Sequence, residues 1–192
     1  MPKDPETARV TILDAADRLL RRGGGGTVDE VAREARCAKG LVHYHFKTKA
    51  ALLAAAAARL GERRRSRWTE AFQAPTPDAA IKRSWTLLVS ESRDGTIRAW
   101  TALFAQRDKV TDRAVSLASA SFSSTIASAA DGLLNELGLA PTVPMEELGL
   151  LLAGVVHGMA LQLESGMEPE RLQGAYAAAW LGVLSLTRPA TR

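Results

Sequence analysis

The chain has little from which to build a stapled or metal-centred fold. One of its 192 residues is cysteine, Cys37. A lone thiol makes no internal disulfide and excludes zinc sites built from several cysteines, so nothing argues for an oxidising compartment. Long apolar runs are missing too. The longest uncharged apolar stretch, between Glu147 and Glu164, holds 16 residues and includes His157 and Gln162. That is short of the ~18–20 needed to span a bilayer, so no membrane partner is expected. The opening MPKDPETARV carries charges where a signal peptide needs an apolar core, and a cytoplasmic location is the expectation. Catalytic patterns are lacking as well. No serine, histidine and acid share a recognisable spacing, and Gly23–Gly26 has neither the lysine nor the preceding strand of a phosphate loop. Enzyme chemistry and a cofactor are therefore not expected.

What is present is an ordinary globular composition, 46% hydrophobic and 24% charged, on a chain long enough to bury a core unaided. Its charge is uneven. Residues 1–67 carry 15 Lys+Arg against 8 Asp+Glu, and residues 68–192 carry 10 against 13. A basic segment joined to a mildly acidic one suggests a polyanion-binding head on a body with another task.

Apolar residues recur with a 3.6-residue period and no sustained alternation, which predicts an all-α fold of about nine helices. Asp4-Pro5-Glu6 starts the first helix, with Pro at its first position, and the glycine run ends it. Thr27-Val28-Asp29-Glu30 is a capping box opening a short second helix. A third runs from about Ala38 to Phe46, and Thr48 caps a long fourth that ends before Pro75. Further starts and stops at Thr76-Pro77, Ser92–Gly95, Thr111, Gly138, Met145 and Pro169 mark five more.

Two short helices joined by a tight turn, within residues 27–49, form a helix-turn-helix. Val31, Ala32, Val42 and Phe46 have the character of its internal contacts, with Cys37 at the turn. Lys39, Gly40, Leu41, His43, Tyr44 and His45 remain for the outward and flanking faces. They offer a cation, close backbone approach, an apolar group for a thymine methyl, and donors for phosphates or base edges. Thr27 and Thr48, at helix N-termini, and Lys49 beside Thr48 suit phosphate oxygens. His43 and His45 are two residues apart, point to different helix faces and have no third ligand near them, so no metal site is expected.

The stretch TVDEVAREARCAKGLVHYHFKTKAALL resembles the DNA-binding signature of the TetR/AcrR family of bacterial transcriptional regulators. It shares the capped second helix, the KG pair, the HYHF end and the lysine before an Ala/Leu run. The chain departs from the pattern at four places. Arg36 stands at the turn where glycine is usual, and Ala38 where a serine cap is usual. Leu41 replaces a small or hydroxyl residue, and His43 a tyrosine. The resemblance implies a DNA-binding head over residues 1–50 and a ligand-binding, dimerising body over residues 51–192. It also implies a repressor released from a palindromic operator by a small molecule. The other reading is a helical enzyme or small-molecule carrier with a vestigial head.

In the body, Trp85, Trp100, Phe104 and Phe122 read either as core or as walls of a cavity for an apolar or aromatic effector; the cavity is what the resemblance implies. His157 reads as a polar anchor in that cavity or as a histidine satisfied by a neighbouring helix. Cys37 reads as a turn residue, and Arg63–Arg65 with Arg67 as a solvated face or partners of Glu62 and Glu70. The last two helices are apolar on most sides, which predicts a homodimer through them.

Overall fold

A computed structural model describes residues 4–190. Among these are nine helices: α1 (Pro5–Arg21), α2 (Val28–Glu34), α3 (Lys39–Phe46), α4 (Lys49–Phe72), α5 (Pro77–Arg93), α6 (Thr96–Phe104), α7 (Lys109–Glu136), α8 (Met145–Glu164) and α9 (Pro169–Leu184). The boundaries follow local chemistry. The Asp4 carboxylate accepts from the Thr7 N–H at 2.9 Å to start α1. Thr48 Oγ1 accepts from the Ala51 N–H at 3.0 Å at the start of α4, and Thr76 Oγ1 does the same for Ala79 at 3.2 Å at the start of α5. Past these helices lies one feature that the sequence pattern does not announce. β1 (Leu139–Pro141) and β2 (Thr187–Pro189) pair as an antiparallel ribbon, with Ala140 opposite Arg188. Three residues are too few to display alternation.

The chain divides into two compact units that do not follow a single cut in the sequence. The first takes the N-terminal stretch through Glu62 together with Asp94–Ala118. Its core joins Ile12, Leu20, Val31, Val42, Phe46 and Leu53 to Trp100, Leu103 and Val115. Here α1 packs on α2, α3 and α6. The contact with α6 is tied down by polar groups. The Asp94 carboxylate accepts from Arg21 Nη1 and from the Thr96 N–H, each at 2.9 Å, and Arg98 Nη1 donates to the Arg21 carbonyl at 3.1 Å. Gly95, at φ 79°, makes the turn between Asp94 and Thr96. A Cβ there would stand 2.5 Å from the Arg21 carbonyl oxygen, so glycine meets both the positive φ and the close approach.

The second unit comprises Arg63–Arg93 and the described residues from Ser119 onward. It buries Trp68, Leu88, Phe122, Ile126, Leu148 and Tyr176, with α5 packed on α8 and α9. Arg64 does not lie on a solvated face. It is buried and ion-paired with Glu91, which has no exposed surface, at 2.9 Å. A charge taken out of water needs such a partner, and this one lies 27 residues along the chain.

By length and composition α8 is able to cross a membrane once its first-turn glutamates are counted in the span. In this fold its Leu148, Leu152, Val156, Met159 and Leu163 are buried. Its opposite side exposes Leu150, Leu151 and Leu161, and α9 likewise exposes Leu181 and Leu184. Nothing lies within 4 Å of where a Cβ would stand on Gly154, Gly158, Gly174 or Gly182.

Candidate nucleic-acid interface and ligand cavities

The capping box at residues 27–30 is fully formed. Thr27 Oγ1 accepts from the Glu30 N–H at 3.3 Å, and Glu30 Oε2 accepts from the Thr27 N–H at 2.9 Å. These bonds hold the Glu30 carboxyl below its ordinary range. Two hydrogen-bonded orphan donors at its start fix a helix of only seven residues. The turn that follows needs a left-handed residue, and Arg36 supplies it at φ 53°. This is the position where the sequence carries arginine in place of glycine, a strain of order 1 kcal/mol. Ala38 then starts α3 with no side-chain cap. A second left-handed residue, Lys47 at φ 61°, ends α3. No glycine or asparagine marks it in the sequence. Its Nζ lies 5.3 Å from the Tyr44 ring centroid.

Val42 and Phe46 are buried, which turns the rest of α3 outward. Lys39, Gly40, His43 and Tyr44 are exposed, Tyr44 to 65%. Leu41 and His45 are half-buried beside a cavity of about 450 Å³ that also meets Pro5, Cys37 and Tyr44. His43 Nδ1 lies 3.3 Å from the Lys47 carbonyl, and the His45 ring meets Tyr44 edge-on at 5.1 Å. Thr27, Thr48 and Lys49 are exposed at the starts of α2 and α4. Lys39 forms an ion pair with Asp29 at 2.9 Å. The half-buried Cys37 thiol has its pKa raised by burial, which disfavours the reactive thiolate.

This head matches the family model described as bacterial regulatory proteins, tetR family, over residues 12–56. Residues 12–56 thus form a TetR-type DNA-binding head. The TetR-like arrangement extends through the body in solved structures. A Rhodococcus sp. protein described as a TetR-family transcriptional regulator is 20% identical, with a TM-score of 0.78 over 93% of this chain and 98% of that one. A TetR-family regulator from Agrobacterium tumefaciens is 14% identical, with a TM-score of 0.76 over 94% and 99%. FadR of Bacillus subtilis, solved in complex with stearoyl-CoA, is 14% identical, with a TM-score of 0.69 over 89% and 96%. At these identities the likeness is one of fold. No curated protein matches the sequence.

The body does not gather the five expected ligand residues in one place. Trp100 belongs to the core of the first unit, where it meets Phe104 at 5.4 Å, and Phe104 is 50% exposed. Trp85 is buried in the second unit against Tyr176, at 5.3 Å. Phe122 and His157 are together there, 5.2 Å apart. Around Phe122 stand also Trp68, edge-on at 5.3 Å, and the Arg64 guanidinium, 4.6 Å from the ring centroid. Sequence spacing singled out neither Trp68 nor Arg64 for this cluster. Buried His157 Nε2, Trp68 Nε1 and Glu91 Oε1 have no hydrogen-bond partner. Burial, then the Arg64 charge, pushes the His157 pKa down from 6.5 to about 4. A cavity of about 690 Å³ in the second unit is lined instead by α4 and α7, with polar groups such as Arg65, Thr69, Gln73 and Ser124 beside apolar Phe72 and Leu133. Among the described residues, no three His, Cys, Asp or Glu are grouped to hold a metal.

Proposed function

We propose that the protein is a dimeric transcriptional repressor whose two recognition helices read a palindromic operator in the cytoplasm and whose body releases it on binding a small molecule. The observation that carries the reading is α3. It has a buried Val42/Phe46 side and an outward side of Lys39, Gly40, His43 and Tyr44, on a helix-turn-helix of the matched family. Lys39, Tyr44, His45 and Lys49, with the N–H groups near Thr27 and Thr48, engage phosphates. Leu41 and His43 reach base edges over the close approach that Gly40 permits. The exposed leucines and open glycines of α8 and α9 support a four-helix interface between two copies.

For the effector, Phe122, His157 and Trp85 of the second unit are the proposed contacts, with Trp100 and Phe104 left to the first unit. The unpartnered His157 Nε2 beside the Phe122 ring supports an apolar or aromatic molecule with one hydrogen-bonding group. The FadR fold holding stearoyl-CoA is a precedent for a ligand with a long apolar part.

The test is selection of duplexes from a random pool by the purified protein, followed by mobility shifts at two salt concentrations. The expected result is a pseudo-palindrome with half-sites about one helical turn or a multiple apart. A protein that shows no saturable, sequence-selective shift is not this regulator.

A further inference from the structure

The face assigned to DNA carries an acid where phosphate repulsion is expected. Asp29 sits in the first turn of α2, and its two carboxylate oxygens reach Lys39 Nζ at 2.9 and 3.0 Å. Both side chains are exposed, at 64% and 56%. Lys39 is the first residue of α3, at an N-terminus without a side-chain cap. The helix dipole opposes a cation there, so the ammonium has no reason of its own to stay. Asp29 holds it on the protein. The next cation of the face, Lys49, stands near enough to Glu30 and Asp108 to help lower both carboxyl pKa values. Asp29 also favours the dipole of α2, but Glu30 serves the same turn and closes the capping box. The ion pair is thus not needed to make the helix.

We propose that Asp29 is an affinity-setting residue that competes with DNA phosphate for the Lys39 ammonium. In the free head the cation is neutralised, and a duplex has to draw it away before it adds to binding. Sequence-independent attraction, which comes from such charges alone, is thereby held down. The inference rests on the DNA-binding reading above and adds to it the group that opposes binding.

The experiment measures the dissociation constant of the full chain for a mixed-sequence duplex of about 30 base pairs, long enough for two half-sites, over a series of salt concentrations. The proteins are wild type, Asp29→Asn, Asp29→Glu, Lys39→Met and the Asp29→Asn/Lys39→Met double variant. An exposed ion pair of this kind corresponds to an affinity change of about two- to five-fold. Asp29→Asn should tighten binding by that factor for each of the two heads on the duplex. It should also steepen the slope of log affinity against log salt by just under ~2, the release of one further counterion at each of the two half-sites. Asp29→Glu should behave as wild type. With Lys39→Met in place, Asp29→Asn should add nothing. A change in helix stability alone would not move the salt slope. The proposal is overturned if Asp29→Asn leaves affinity and slope unchanged or weakens binding. It is equally overturned if the gain persists in the Lys39→Met background, where Asp29 would act through its charge on DNA directly. Failure of every protein, wild type included, to bind the duplex at low salt marks a different failure, that of the DNA-binding reading, and removes the proposal with it.

Discussion

Acidification should weaken the fold through His157. The imidazole is held against Phe122 in the second unit, and its pKa is depressed from 6.5 to about 4 by burial and by the Arg64 charge. The unfolded chain, titrating near 6.5, takes up a proton that the folded chain refuses until about pH 4. Stability is then fully present above the unfolded pKa and falls as pH drops from there towards the folded one. The full difference is about 3 kcal/mol, and at about pH 5 the loss is about 2 kcal/mol. Asp4, Glu34 and Asp108 are held below their ordinary values of 3.8 to 4.5 by hydrogen bonds, so their contributions are lost as pH falls from those values and lie outside a comparison made at about pH 5 and above. Urea unfolding at about pH 7.5 and about pH 5, for wild type and His157→Gln, isolates the histidine. The wild type should lose about 2 kcal/mol more than the variant between the two conditions. A variant with the same pH dependence as wild type, or an NMR titration placing His157 at its ordinary pKa, would refute the reasoning.

Glu91→Gln removes the buried carboxylate that pairs with Arg64 and should cost about 3–5 kcal/mol, seen as a fall in Tm of roughly 6–20 °C by calorimetry. Gly95→Ala combines a positive φ with a Cβ 2.5 Å from the Arg21 carbonyl oxygen; urea unfolding should show a loss of about 2–4 kcal/mol. Thr27→Ala removes one arm of the capping box and should cost about 1 kcal/mol by the same measurement. Leu41→Ala should relax base preference at one position per half-site by about 1 kcal/mol in competition binding, whereas equal loss on every duplex would take Leu41 out of base readout.

Local chemistry is what the sequence makes legible. The Thr27–Glu30 box, the Thr48 cap and the strained Arg36 turn each depend on residues within four positions of one another, and each can be read directly. The fold class follows from periodicity in the same way. Lys47 escaped because nothing in its side chain marks a left-handed backbone; the surrounding packing imposes it. The Arg64–Glu91 pair escaped because a run of arginines reads as solvated until the partner is brought from 27 residues away. Trp100 and Phe122 look alike as aromatic positions on apolar helices. Only the fold assigns the first to the core around α1–α4 and the second to the cluster with His157. The Lys39–Asp29 pair spans ten residues and two helices, so composition shows both charges but not their meeting.

The discontinuous make-up of the first unit bears on how the chain acquires its shape during synthesis. Residues through Glu62 leave the ribosome first, yet the core they belong to is closed by Ala99, Trp100, Leu103 and Val115. Until those arrive, the apolar surface that they cover on α1 and α4 stays open to water and to chaperones. A fragment cut at residue 50 or 62 carries the whole recognition helix but stays in that unfinished condition for good. Such a fragment is expected to aggregate or remain loosely packed, so binding studies on the head call for a chain that continues at least through Ala118.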